Sequence, residues 1–204
     1  MEQQQDGFLA WISMSGSFLG ALFYFEPSHP KATGLVKAIN EINWKTNWVP
    51  PLINDSNKIK KLLRQTENIS EQFQRQFIGP NAMPAPPWAS VYLDPEAVIY
   101  GNSLIALREF MTRNGLKTQI EGNVPEDHIG LMLMLASYIA DAKPDVLKEY
   151  LSEHLFTWVW RYLELLASQE ESPFYRGLAL VTQQTLAYWR EELQLDLIEA
   201  PLYF

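Results

Sequence analysis

Cysteine is absent from the 204 residues. That excludes a disulfide framework, thiolate metal ligands, a cysteine nucleophile and cysteine-ligated iron–sulfur clusters, and it fits a reducing compartment. Histidine is scarce: His29, His128 and His154 are the full set, and no two share the i,i+3 or i,i+4 spacing of a helical metal pair. Positive charge is in deficit, with 16 Lys and Arg against 24 Asp and Glu and a net charge of -8. Phosphate neutralisation needs the opposite balance, so nucleic acid is not expected as a partner. No GxSxG elbow, P-loop or GxGxxG sequence occurs, which removes the common signatures of hydrolase, NTPase and dinucleotide chemistry. Strand signals are nearly missing as well: Ser90–Leu93 and Ala97–Tyr100 are the two candidates, and both are short.

One long uncharged run exists, Phe8 to Phe25, 18 residues at the lower limit for a membrane span. Ser13, Ser15, Ser17, Gly16 and Gly20 dilute it, Glu2 and Asp6 stand where a signal peptide carries basic residues, and no small-x-small cleavage site follows. A buried core helix of a cytoplasmic protein, without stable membrane insertion, is the expectation.

The residues present make a core. Hydrophobic residues are 47% of the chain and aromatics 13%, too many for a disordered segment. Helical periodicity runs through 31–43 (Leu35, Val36, Ile39), 55–77 (Asp55 or Ser56 as N-cap, then Ile59, Leu62, Leu63, Phe73, Phe77), 103–114 and 125–141. It continues through 145–168 and 173–194, the last with Leu178, Thr182, Leu186, Trp189 and Leu193 on one stripe. The pattern predicts an all-α fold and one helical domain over residues 1–204. Residues 101–204 carry 8 basic and 15 acidic side chains, so this half is suited to a basic partner.

Two stretches break the regularity. FIGPNAMPAPPWASVYLD (77–94) places Pro80, Pro84, Pro86 and Pro87 within eight positions. Proline fixes φ and lacks an N–H, so an extended, stiff loop is expected, either packing Trp88 as a connector or presenting Trp88 and Tyr92 to a ligand. In NVPEDHIG (123–130), Asn123 and Glu126 have capping-box spacing and Pro125 suits a first helical turn. Capping leaves Asp127 and His128 unexplained. They could belong to a metal- or nucleotide-dependent hydrolase; an acidic helix start beside an aromatic loop fits better with binding a peptide that carries arginines next to apolar residues.

Together these stretches carry a resemblance. Leu19–Phe25 (LGALFYF), the GP-x3-P-x-PPW-x-SV element, GNSLIALREFM from Gly101, P-x-D-H, HLFTW from His154 and SPFYRGLA from Ser172 are similar to the TorD/DmsD family of redox-enzyme maturation chaperones, on its leader-binding branch. The resemblance covers nearly the whole chain. It implies a cytoplasmic, non-catalytic, all-α chaperone without cofactor. Such a chaperone binds the twin-arginine signal peptide of a molybdopterin reductase catalytic subunit, here that of dimethyl sulfoxide reductase, and delays export by the twin-arginine translocase until folding and cofactor insertion are complete. Sister clients (trimethylamine N-oxide or nitrate reductase), and a grip on the folded reductase rather than its leader, remain alternatives. So do monomer or homodimer, and weak guanine-nucleotide binding. By matching positions the resemblance puts leader contacts on Phe73, Phe77, Pro87, Trp88, Tyr92, Gly101, Pro125, Asp127 and His128. Position 73 is often Trp in the family and is Phe here. Position 76 is often apolar and is Gln76 here, which puts that contact in doubt.

Overall fold

The computed structural model describes residues 2–43, 47–48, 56–117 and 123–204; the Asp55 cap expectation lies outside them. The chain is built from α1 (Glu2–Tyr24), α2 (Pro30–Glu41), α3 (Ser56–Leu63), α4 (Ile69–Phe73), α5 (Ala89–Leu93), α6 (Asn102–Arg113), α7 (Ile129–Ala142), α8 (Leu147–Tyr150), α9 (Val159–Ala167) and α10 (Pro173–Leu193). Single π turns extend α4 over Gln74–Ile78 and α8 over Leu151–Leu155. Among the described residues there is no strand, only an isolated antiparallel bridge between Trp88 and His128. The all-α expectation therefore holds.

The contacts group into two units. One is residues 1–24, 88–159 and 195–204; the other is 25–87 and 160–194. In the first, α1 lies along α7 and buries Ile12, Leu19, Leu22 and Phe23. Two glycines allow the approach: a Cβ on Gly20 would stand 2.6 Å from the Gly130 carbonyl, and one on Gly130 would stand 2.7 Å from the Gly20 carbonyl. Gly20 and Ser13, two of the residues that dilute the apolar run, thus lie on a helix–helix seam, Ser13 Oγ meeting Ser137 Oγ of α7 at 3.4 Å. The α6 stripe Leu104, Leu107, Phe110 and Met111 is buried as its periodicity predicts, and the Tyr150 hydroxyl donates to the Met132 carbonyl (2.8 Å), tying α8 to α7.

In the second unit, α10 packs against α3 and α4. Leu178, Thr182, Leu186 and Trp189 are fully buried, while Leu193 at the helix end is half-buried. Two glutamines of the α4 region hold the start of α10. Gln72 Oε1 accepts from the Phe174 N–H (3.0 Å), and Gln76 Nε2 donates to Ser172 Oγ (3.0 Å). Both glutamines are buried, so the polar residue at position 76 belongs to this helix-end attachment.

Four local expectations are corrected. The 55–77 helix is broken at Asn68, whose φ of 54° is left-handed, giving α3 and α4. The 145–168 helix is divided at Phe156, whose N–H reaches back to the Leu151 carbonyl in a π-type turn. Ser90–Leu93 is helix, not strand, and shortens the proline-rich loop. The capping box does not form: α7 begins at Ile129 with His128 as N-cap, and Glu126 instead accepts from Arg108 Nε (2.9 Å) and Nη2 (2.7 Å).

Candidate functional site

The residues that start α5 and α7 explain one another. A five-residue helix has no intrahelical partners for its first N–H groups, and Asp127 supplies two. Its carbonyl accepts from the Ala89 N–H (3.1 Å), and its carboxylate Oδ2 accepts from the Ser90 N–H (2.9 Å). Asp127 is a cap for a helix 37 residues away in sequence. With Trp88 and His128 paired as a bridge, His128 is held extended, so α7 begins at Ile129. His128 then caps α7: its Nδ1 accepts from the Gly130 N–H at 3.1 Å. Its ring lies edge-on to Trp88 (5.8 Å between centroids) and to Tyr24 (5.6 Å).

Burial sets the electrostatics. Asp127 is 1% exposed, and desolvation pushes its carboxyl above the ordinary carboxylate value while hydrogen bonding from Ser90 holds the shift back. Burial also pushes His128 down to about 3, so its imidazole is neutral at physiological pH. A neutral ring that accepts at Nδ1 serves α7 as a helix cap. Ser90 Oγ is one of several buried polar atoms with no hydrogen-bond partner, and so are Asp127 Oδ1 and Trp88 Nε1, both shielded from solvent. Of the last two, one is an anionic acceptor and the other a neutral donor. Buried groups of this kind are normally satisfied, and a peptide bearing a guanidinium and a carbonyl would satisfy both.

Asp127 also lines a cavity of about 250 Å³ together with Ser103, Leu107, Met132, Glu153 and His154. That volume lies just below the usual range for small-molecule sites and suits a single side chain. No group of three or more His, Cys, Asp or Glu among the described residues could hold a metal ion. Sequence reasoning missed Ser90, Glu153 and His154 as members of this site; the histidine was the readable signal, since HLFTW sets it in an apolar run.

The other sequence-predicted residues fall as follows. Tyr92 is fully buried on α5, against Trp158 at 5.3 Å. Pro125 accepts the His128 N–H through its carbonyl (3.1 Å), shaping the turn before the cap. Gly101 precedes α6, and a Cβ there would run into the Asp94 carboxylate. That carboxylate accepts from the Ser103 N–H (3.2 Å) and Oγ (2.6 Å), capping α6. Gly101→Ala is accordingly expected to dislodge this cap, lowering stability by about 1 kcal/mol and the melting temperature by roughly 2–4 °C, read by circular dichroism. Phe73 and Phe77 lie in the other unit, 4.9 Å apart, and Phe77 meets Tyr175 at 5.1 Å; both are 5% exposed. Pro87 closes the first segment of that unit and is buried.

Comparison with known proteins returns one consistent neighbourhood. A family model described as nitrate reductase delta subunit matches residues 49–164. A Haemophilus influenzae protein named "Probable Tat proofreading chaperone DmsD" is 44% identical over 198 residues, 96% of this chain and 98% of the relative. The Tat proofreading chaperone DmsD of Salmonella paratyphi A is 35% identical over 98% of this chain and 97% of its own. A crystal structure from Archaeoglobus fulgidus, described as a candidate redox enzyme maturation protein, superposes with a TM-score of 0.52 at 20% identity, covering 82% of this chain and 91% of that one; it supports the fold.

Proposed function

The chain belongs to the TorD/DmsD family of redox-enzyme maturation chaperones, and from that premise we propose that it binds the twin-arginine leader of a molybdopterin reductase precursor at the Asp127–Trp88 site. It is a chaperone of the Tat system and not an enzyme. Its client in this reading is the catalytic subunit of dimethyl sulfoxide reductase, and its place of work the cytoplasm, where the precursor waits until cofactor insertion and folding are complete.

The observation that carries the reading is the unsatisfied Oδ1 of a carboxylate that is 1% exposed and lines a side-chain-sized cavity. Leaving such an atom unpaired costs about 1–3 kcal/mol or more, and a leader guanidinium removes that cost. A buried ion pair returns little beyond its own desolvation, so the arginine supplies discrimination more than affinity. Affinity must come from apolar contact, because ordering a disordered leader costs roughly 2–5 kcal/mol and micromolar binding needs a net of about -8 kcal/mol. The half-buried Trp88 is the aromatic on α5's doorstep able to provide it.

Calorimetric titration with synthetic leaders from the dimethyl sulfoxide, trimethylamine N-oxide and nitrate reductase precursors tests the reading. Micromolar or tighter binding of the first alone is expected. Preference for another leader would reassign the client, and failure with all three would move the grip to the folded reductase. Trp88→Ala is expected to weaken the preferred leader about 10–100-fold. Asp127→Asn, which keeps an acceptor for the Ser90 N–H, should weaken it less and yet lose the preference for Arg-Arg over Lys-Lys. An Asp127→Asn protein that still discriminates would remove the charge from this account.

A further inference from the structure

We propose that Glu153 is a second cation-reading carboxylate of the leader site, so that two neighbouring arginines meet two separate acids, Asp127 inside the cavity and Glu153 at its mouth. The inference rests on the leader-binding reading and adds a specificity residue to it; none of the leader positions carried over from the family lies on this turn of the chain. Glu153 and His154 belong to the π turn that follows α8, Leu151–Leu155. Turns of this kind recur at functional sites. Both side chains line the cavity of about 250 Å³ that Asp127 also lines. The His154 ring is half-buried and stands 4.9 Å from that of Phe110. Burial pushes its proton affinity below the ordinary value, so it walls the cavity without adding positive charge.

The charge around this cavity is one-sided. Its described lining residues include two carboxylates and no Lys or Arg. Asp127 is 1% exposed, and its Oδ1 has no hydrogen-bond partner. Glu153 is exposed, and its carboxylate makes no ion pair among the described residues. The cations nearby are committed elsewhere. Arg108, within Coulombic reach of Asp127, is held by Glu126. Arg113, within reach of His154, is held by Glu149 on α8. The volume suits one side chain, so of two consecutive arginines only one can enter toward Asp127. The other stays at the mouth, where Glu153 is the carboxylate left unpaired. Unequal depth separates the two contacts: an exposed pair is worth up to about fivefold in affinity and is screened by salt, whereas a buried one is screened much less.

The test is a double-mutant cycle between protein and leader. Synthetic leaders carrying Arg-Arg, Gln-Arg or Arg-Gln at the paired positions are titrated calorimetrically into the parent and into Glu153→Gln, whose fold is checked by circular dichroism and melting. Glu153→Gln should bind the Arg-Arg leader roughly 2–5-fold more weakly. One of the two arginines should lose that same factor from its contribution while the other keeps its full effect, so coupling arises at one leader position only. Raising the salt from about 50 mM to about 500 mM should shrink the difference between parent and variant, as screening requires of an exposed pair. Equal Arg-Arg affinities for the parent and the folded variant would overturn the inference. So would equal coupling at both arginines, which reports a change in net charge rather than a contact. If even the parent binds no leader, the leader-binding reading fails on its own. The second carboxylate is then decided by N-acetyl-Arg-Arg-amide, added to isotope-labelled protein and followed by nuclear magnetic resonance. A shift of the amide signal at position 153 that is absent from Glu153→Gln sustains it; no shift, or one that persists in the variant, overturns it.

Discussion

Gly130→Ala is expected to destabilise the protein by about 3 kcal/mol or more and to lower its melting temperature by roughly 6–12 °C. A methyl group at this position would stand 2.7 Å from the Gly20 carbonyl oxygen and 2.9 Å from the Tyr24 backbone nitrogen. These are backbone atoms of a 23-residue helix, so relief requires α1 and α7 to separate rather than one side chain to turn. A useful comparison is Gly34→Ala. Gly34 sits inside α2 with nothing within 4 Å of the added Cβ, where alanine is worth about 0.5–1 kcal/mol of added stability through helix propensity and a less flexible unfolded chain. Two chemically identical changes should thus move the melting temperature in opposite directions in thermal scans under one set of conditions. A Gly130→Ala protein melting within about 2 °C of the parent would mean that the helix seam is not close-packed.

The same substitution reaches the candidate site. The Gly130 N–H is the donor held by His128, and His128 is joined to Trp88 and follows Asp127. Pushing the start of α7 off α1 therefore displaces the cap, the bridge and the carboxylate as a group. Leader affinity should fall further in Gly130→Ala than in Gly101→Ala, although neither glycine has a side chain to offer a ligand.

This arrangement separates what could be read along the chain from what could not. α6 and α10 were legible because each is amphipathic over its length and ends on local signals, Gly115 after the first and Pro173 at the start of the second. The start of α7 was misread because NVPE satisfies the local rule for a capping box, while Glu126 is claimed by Arg108 and Asp127 by Ser90, partners 18 and 37 residues away. Ser90–Leu93 looks like a strand for its Val and Tyr, and becomes a helix because distant Asp127 satisfies its first N–H groups, that of Ala89 through its carbonyl and that of Ser90 through its carboxylate. Such tertiary caps leave no periodic trace. Asp127 and His128 were found by motif and by the insufficiency of local capping. Their buried, mutually supporting geometry, and the cavity that Asp127 shares with Glu153, belong to the fold alone.

The second large effect follows from His128. Its ring must be neutral, because Nδ1 accepts the Gly130 N–H and a proton there would set two donors face to face at the positive end of a helix. Burial pushes the group from 6.5 down to about 3, so between those values the unfolded chain binds a proton that the folded chain refuses. Stability is then fully present above about pH 6.5 and is lost as the pH falls toward 3. The loss reaches an upper bound on the order of 4–5 kcal/mol, at a limiting slope of about 1.4 kcal/mol per pH unit. His154, also lowered chiefly by burial, adds to this trend. Asp127 acts in the other direction, since its raised value favours the folded state at low pH and withdraws that contribution as the pH rises. His128→Asn separates the terms: asparagine offers a capping oxygen and does not titrate. Urea unfolding at a series of pH values from 7.5 to 4 should show the parent losing stability more steeply than His128→Asn, by up to about 1.4 kcal/mol per unit below pH 6. At pH 7.5 the variant should be the weaker of the two, having lost the ring contacts with Trp88 and Tyr24. Parallel curves for the two proteins would mean that the imidazole takes up its proton in the folded state, and that the cap on α7 is held by something other than a neutral His128.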